Sequence, residues 1–175
     1  MKSLYFSLLL FPLLGFSQNT NSISPDVTNT NNLVRAADNL TLHTAFKLVN
    51  QVLKTATTLN AKVAVAVIDA SGTIIILVRA DGVGPHNIEA ARRKAYTALS
   101  TGTNTLLLTR NAEKNPDTRN LNSLPELLLL SGGTPIFYKG NVIGSIGVAG
   151  GGSPENDDFL AKSAVEIEAS LTLQK

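Results

Sequence analysis

The sequence predicts an α+β domain built on a mainly antiparallel sheet of about five strands with flanking helices. Val/Ile-rich runs occur in pairs closed by short reversals, an amphipathic helical stripe precedes the first pair, and a helix-start pattern follows the second. The first pair is Lys62 to Asp69 and Thr73 to Ala80, joined by Asp69-Ala70-Ser71-Gly72, where Asp opens and Gly closes a type I turn. Asp69 is therefore expected to cap turn backbone rather than act as a catalytic carboxylate. In the second pair, Gly132-Gly133 releases the chain into Pro135 to Tyr138, Lys139-Gly140-Asn141 reverses it, and Val142 to Ala149 returns. Both faces of the returning strand, Val142/Gly144/Ile146/Val148 and Ile143/Ser145/Gly147/Ala149, are small or apolar, which predicts cover on both sides.

The helices follow from spacing. Leu42, Ala45, Phe46, Val49, Val52, Leu53 and Ala56 recur every three or four residues and form one stripe, leaving His43 on the solvated side. Asp81-Gly82-Val83-Gly84-Pro85 is a corner that opens a helix with Ile88, Ala91, Ala95 and Ala98 or Leu99 inward. Thr103 to Arg110 reads as a short helix capped by Thr103 or Asn104, 111–122 as a polar loop around Pro116, and Leu124 to Leu130 as another short helix. Ser153 is the N-cap of a final helix from about Pro154 to Leu171, with Phe159, Leu160, Ala164, Ile167 and Leu171 inward.

Composition narrows the function. A chain of 175 residues with 43% hydrophobic content supports one core. A formal charge of +2 without a basic stripe argues against nucleic acid, and the lack of Cys removes disulfides and thiolate chemistry. Lys2, the apolar run Leu4 to Phe16 and the small residues Gly15 and Ser17 at the positions a signal peptidase reads predict a signal peptide over 1–17. The run is too short for a stable membrane span, so the expectation is an exported protein, periplasmic or secreted. Residues 18–38 are rich in Asn, Thr and Ser and read as a flexible lead-in to a domain over 39–175.

Candidate chemistry gathers after Pro85. His86 lies in the first turn of its helix, where the helix dipole favours the neutral imidazole that ligates metal. Arg92, Arg93 and Lys94 fan around the same helix, either as a solvated face or as holders of carboxylates, and Glu89 is placed to pair with Arg93. Gly150 to Gly152 could form an anion nest, but the acids at 155, 157 and 158 favour a plain corner. Asp157 and Asp158 suit the helix dipole.

Residues 131–158, with Val65 to Asp69, Gly72, Arg79 to Gly82 and Ala91 to Ala98, stand in an order that resembles the GlcG/HbpS family of haem-binding-like proteins, related to the C-terminal domain of PduO-type proteins. The resemblance covers roughly residues 40–171. It implies a profilin-like sheet, a homo-oligomer, and binding of haem or a related tetrapyrrole. Haem iron takes His, Met, Cys or Tyr, so under that implication the candidates are His43, His86, Tyr96 and Tyr138. His86 is preferred as iron ligand, with Arg92, Arg93 or Lys94 on the propionates and Tyr96 nearby. The alternatives are a binding module or enzyme for a small organic acid, using the same residues, and a structural oligomer with no retained ligand. No nucleophile, base and orienting group stand together, so a non-enzymatic binding protein is favoured.

Overall fold

The computed structural model describes residues 36–164. Helix α1 (Leu42–Thr58) leads into strands β1 (Ala64–Asp69) and β2 (Ile74–Arg79), and helices α2 (His86–Thr101), α3 (Thr105–Lys114) and α4 (Pro116–Arg119) follow. A 3-10 turn (Asn120–Ser123), strands β3 (Gly133–Tyr138) and β4 (Asn141–Ala149) and helix α5 (Pro154–Ser163) complete the order. The four strands pair antiparallel in the order β2-β1-β4-β3, so the two hairpins meet through β1 and β4. This is the α+β class that the hairpins and helix signals predict.

The two faces of the sheet are built differently. Val65, Val67, Ile146 and Val148 point to one side and pack with Leu48, Val52 and Leu160 of α1 and α5. Ala64, Ala66 and Ala149 point to the other, under Ala91 and Ala95 of α2. That second face is made of small residues because the helix lies almost on the strand backbone. A Cβ on Gly147 would collide with the Ala91 carbonyl oxygen and lie 2.6 Å from the Ala95 amide nitrogen, and one on Gly133 would meet the Lys94 carbonyl. Ser145, two residues before Gly147 on β4, donates its hydroxyl to the Ala95 carbonyl at 2.6 Å. Alternation along β4 breaks at Ile143, which joins the α1 side, because the β3–β4 register slips between Ile136 and Phe137.

Local signals account for most element ends. Thr41 accepts from the Thr44 amide at the start of α1, Ser153 accepts from the Asn156 amide at the start of α5, and Asn104 rather than Thr103 caps α3. Asp69 accepts from the Ser71 and Thr73 amides and the Ser71 hydroxyl, so it caps its turn as expected. The turn is also stitched to the start of the domain: Asn39 accepts from the Leu40 and Ala70 amides and donates to Asp69.

Several expectations give way. On α1, Leu42 and Phe46 are exposed and Leu48 takes the buried position. On α5, Phe159 is exposed while Leu160, Ala161 and Ala164 are buried; Ile167 and Leu171 lie outside the described residues. The polar stretch after Arg110 continues α3 to Lys114 and then forms α4 with Pro116 at its first position. Leu124 to Leu130 is not a helix. Leu127 and Leu129 are buried and Leu130 is exposed, and this irregular segment hangs on α2 through the Leu128 amide, which donates to the Thr97 hydroxyl at 2.8 Å. A run of consecutive leucines has no helical stripe to bury, and the segment finds cover by alternation instead.

Gly147→Ala is expected to cost about 3 kcal/mol or more, because backbone rather than a flexible side chain blocks the methyl, whereas Gly140→Ala, with open space around it, should cost about 1 kcal/mol for its left-handed backbone. Urea unfolding of both variants checks the contrast. At Asp69, burial raises the carboxyl pKa, but the hydrogen bonds from Ser71, Thr73 and Asn39 outweigh it and leave the net value lowered. A lowered native pKa contributes stability above the unfolded value and loses it as pH falls through the native one. Asp69→Ala should therefore be less stable than wild type at pH 7, and the gap should narrow on acidification.

Candidate functional site

Helix α2 carries the preferred candidates His86, Arg92, Arg93, Lys94 and Tyr96, whereas His43 lies on α1 and Tyr138 ends β3, and the side chains on α2 turn to different partners. His86, at its first position, is exposed with its ring beside Gly84. Arg92 binds Glu89 through Nε and Nη2 at 2.9 and 2.8 Å, and its Nη2 also reaches Glu126 at 2.8 Å. The Arg92 hydrogen bond, followed by opposing burial and the charges of Arg92 and Arg93, leaves the Glu89 carboxyl below its usual range. Hydrogen bonding to Glu89 likewise pushes Arg92 above its ordinary value, against the effect of burial. The expected Glu89–Arg93 pair does not form, since Arg93 turns its Nη2 to the Leu127 carbonyl at 2.6 Å.

Lys94 is buried, 4% exposed, and its Nζ donates to Asp157 Oδ2 at 2.6 Å and to the Val148 carbonyl at 3.0 Å. The other oxygen of Asp157 accepts from the Gly151 amide at 2.7 Å. The glycine corner is thus a plain corner closed by the chain's own carboxylate, and Asp157 does more than complement the helix dipole. Tyr96 is half-buried against Gly72. It lies ten positions from His86, roughly 15 Å along the helix axis.

A cavity opens elsewhere. Gly102 ends α2 in the left-handed conformation, and Asn104 accepts from the Leu106 amide at 3.0 Å to start α3. Asn104 also donates to the Thr134 hydroxyl at 3.1 Å, and Thr105 accepts from the Gly133 amide at 2.7 Å, so the start of α3 is fastened to β3. Beside this junction lies a cleft of about 690 Å³. Its walls are Leu106 and Leu107 of α3 and Pro135 and Phe137 of β3, with Thr103, Asn104 and Thr134 between them. Arg110, one turn beyond Leu106, and Lys162 of α5 supply its cations.

Both cations have carboxylate partners on α5, of unlike character. Arg110 meets Glu155 at 3.3 Å with side chains 55% and 65% exposed. Lys162 meets Asp158 at 2.6 Å, and the Asp158 side chain is 8% exposed with Oδ1 buried and, among the described residues, unpartnered. A cavity of this size suits a small molecule, and apolar walls with cations at the rim suit a largely apolar acid.

The family model described as "Haem degrading protein HbpS-like" matches residues 40–166. The chain belongs to the HbpS-like family. Its fold is similar to that of a double mutant of HbpS from Streptomyces reticuli, with a TM-score of 0.73 and 33% identity over 78% of this chain and 92% of that one. The crystal structure of a PduOC–haem complex matches with a TM-score of 0.70 and 25% identity, covering 78% of this chain and 99% of that one. An uncharacterised 15.0 kDa protein encoded between dhaT and dhaS in Citrobacter freundii is 29% identical over 134 residues, covering 75% of this chain and 94% of that protein.

Sequence reasoning misses Arg110, Lys162 and Phe137 because they come from three elements and share no local motif. The available signal is on α3, where Leu106, Leu107 and Arg110 fall on one helical face. Among the described residues no cluster of His, Cys, Asp and Glu suited to a metal ion occurs. Lys94→Met should cost about 3–5 kcal/mol by leaving Asp157 buried without its cation. Adding Asp157→Asn should recover part of that loss, and a double-mutant cycle by chemical denaturation measures the coupling.

Proposed function

We propose that this HbpS-like protein is an exported, non-enzymatic binder of haem or a related planar tetrapyrrole, and that the ring enters the cleft between α3 and β3. The observation that supports this reading most is the pairing of apolar walls, Leu106, Leu107, Pro135 and Phe137, with rim cations in a cavity of about 690 Å³. The likeness to a PduOC–haem complex supports the ligand class.

The donor set favours the ring and its carboxylates over the iron. Among the described residues lining the cleft there is no His, Met, Cys or Tyr, the usual iron ligands. His43 and His86 are both exposed on the surface. A bound haem would supply a redox-active iron; the cleft itself supplies burial and anion binding, and affinity in this reading does not depend on His86. The pattern over residues 1–17 supports export. Among the described residues no helix is long and apolar enough to cross a membrane. Exposed Leu107, Leu124 and Leu130 support assembly into a homo-oligomer. A small organic acid would use the rim cations but leave the apolar walls empty, which makes it the weaker reading.

Titration with haemin, followed at the Soret band, tests the proposal. Wild type and His86→Ala should bind alike, while Leu107→Asp, which sets a charge on an apolar wall at a position already 54% exposed, should weaken binding at least about tenfold. Loss of the Soret shift in His86→Ala with no effect of Leu107→Asp would move the site to the start of α2. Thermal stabilisation by small organic acids and not by haemin would replace the ligand class.

A further inference from the structure

We infer that the cleft grips its ligand through one carboxylate, received by Arg110, and that Lys162 stays with Asp158 and takes no part in anion recognition. The inference rests on the tetrapyrrole reading and says how that ligand is held.

The two rim ion pairs differ in what their separation would expose. Arg110 and Glu155 touch at 3.3 Å with both side chains more than half exposed. Parting them returns both charges to water, so a ligand carboxylate can take the place of Glu155 at little cost. Arg110 can also offer a carboxylate two parallel N–H donors, which one contact at 3.3 Å does not exploit.

Lys162 is in the opposite position. Asp158 holds it at 2.6 Å, the Asp158 side chain is 8% exposed, and the other Asp158 oxygen is buried with no partner among the described residues. Drawing Lys162 toward a ligand would strip this carboxylate of the one donor it has among the described residues, in a dry setting. An ammonium so closely matched by a carboxylate also presents little net field to a second anion. Glu155 is therefore a built-in competitor for the ligand's acid group, and Asp158 is a fixed counter-charge. A tetrapyrrole with two propionates would lodge one on Arg110 and leave the other toward the mouth of the cleft, beside exposed Leu107.

Mesoporphyrin IX as the free acid, the monomethyl ester and the dimethyl ester separates these roles in fluorescence titrations of the full chain. The free acid and monoester should bind within about twofold of each other, and the diester at least about tenfold more weakly. Arg110→Met should bring all three to the diester's level. Glu155→Gln should tighten the acid and monoester about two- to fivefold and leave the diester unchanged. Because Lys162→Met alone would leave Asp158 buried and unpaired, the paired variant Lys162→Met/Asp158→Leu is used; it should bind the free acid within about twofold of wild type. A diester that binds as tightly as the acid, or a paired variant that loses as much as Arg110→Met, overturns this inference alone. Absence of saturable binding by all three porphyrins overturns the tetrapyrrole reading and this inference with it.

Discussion

The arrangement depends on how near α2 comes to the sheet. Backbone meets backbone where Gly147 and Gly133 lie under the Ala91 and Lys94 carbonyls, and no side chain larger than hydrogen fits between. At such separation the helix has no room for a conventional layer of interlocking aliphatics on β4 and β3, so cohesion comes from alanine contacts and from polar ties. The Ser145 hydroxyl on the Ala95 carbonyl is one tie. The other is Lys94, which reaches past the end of β4 to Asp157 and the Val148 carbonyl and so joins α2, β4 and α5 at a single point. The α1 side follows a different logic, with branched side chains filling a deeper layer.

This intimacy bears on where the cationic run on α2 turns its side chains. A helix pressed on glycine can still project long side chains from its flanks, and those side chains find partners within the protein. Lys94 goes inward, Arg93 reaches the strap that carries the leucines, and Arg92 joins Glu89 to Glu126 on that strap. Thr97 adds the last attachment by accepting the Leu128 amide. Arg92 and Arg93 thus serve to position the chain between α4 and β3, while Lys94 ties α2 to β4 and α5. A cleft of about 690 Å³ lies instead past the far end of α2, where Gly102 turns the chain and α3 begins.

The hairpins, their turns and most caps are legible from sequence because each is decided by residues within a few positions of one another, as at Asp69 to Gly72 or Ser153 to Glu155. The covered faces of β4 are legible for a related reason: alternation of small and branched residues survives until the register slip at Ile143. What the sequence conceals is decided by distant partners. The leucines after Leu124 look helical by composition, but they lack a helical stripe and their irregular path is held by Thr97 and Arg93 alongside them. Phe46 and Phe159 look inward by hydrophobicity, yet the described residues leave them exposed. The cleft is hidden for the same reason, since Phe137, Arg110 and Lys162 meet only after three elements pack.

The stitching of Asn39 to the first hairpin carries a practical corollary. Its side chain holds the Leu40 and Ala70 amides together and touches Asp69, although it precedes α1 and belongs to no regular element. The working boundary of the folded unit is therefore set by a single amide side chain, ahead of the first helical residue. Proteolytic trimming that stops at Asp38 would spare this knot, whereas a cut one bond later would slacken a turn thirty residues downstream.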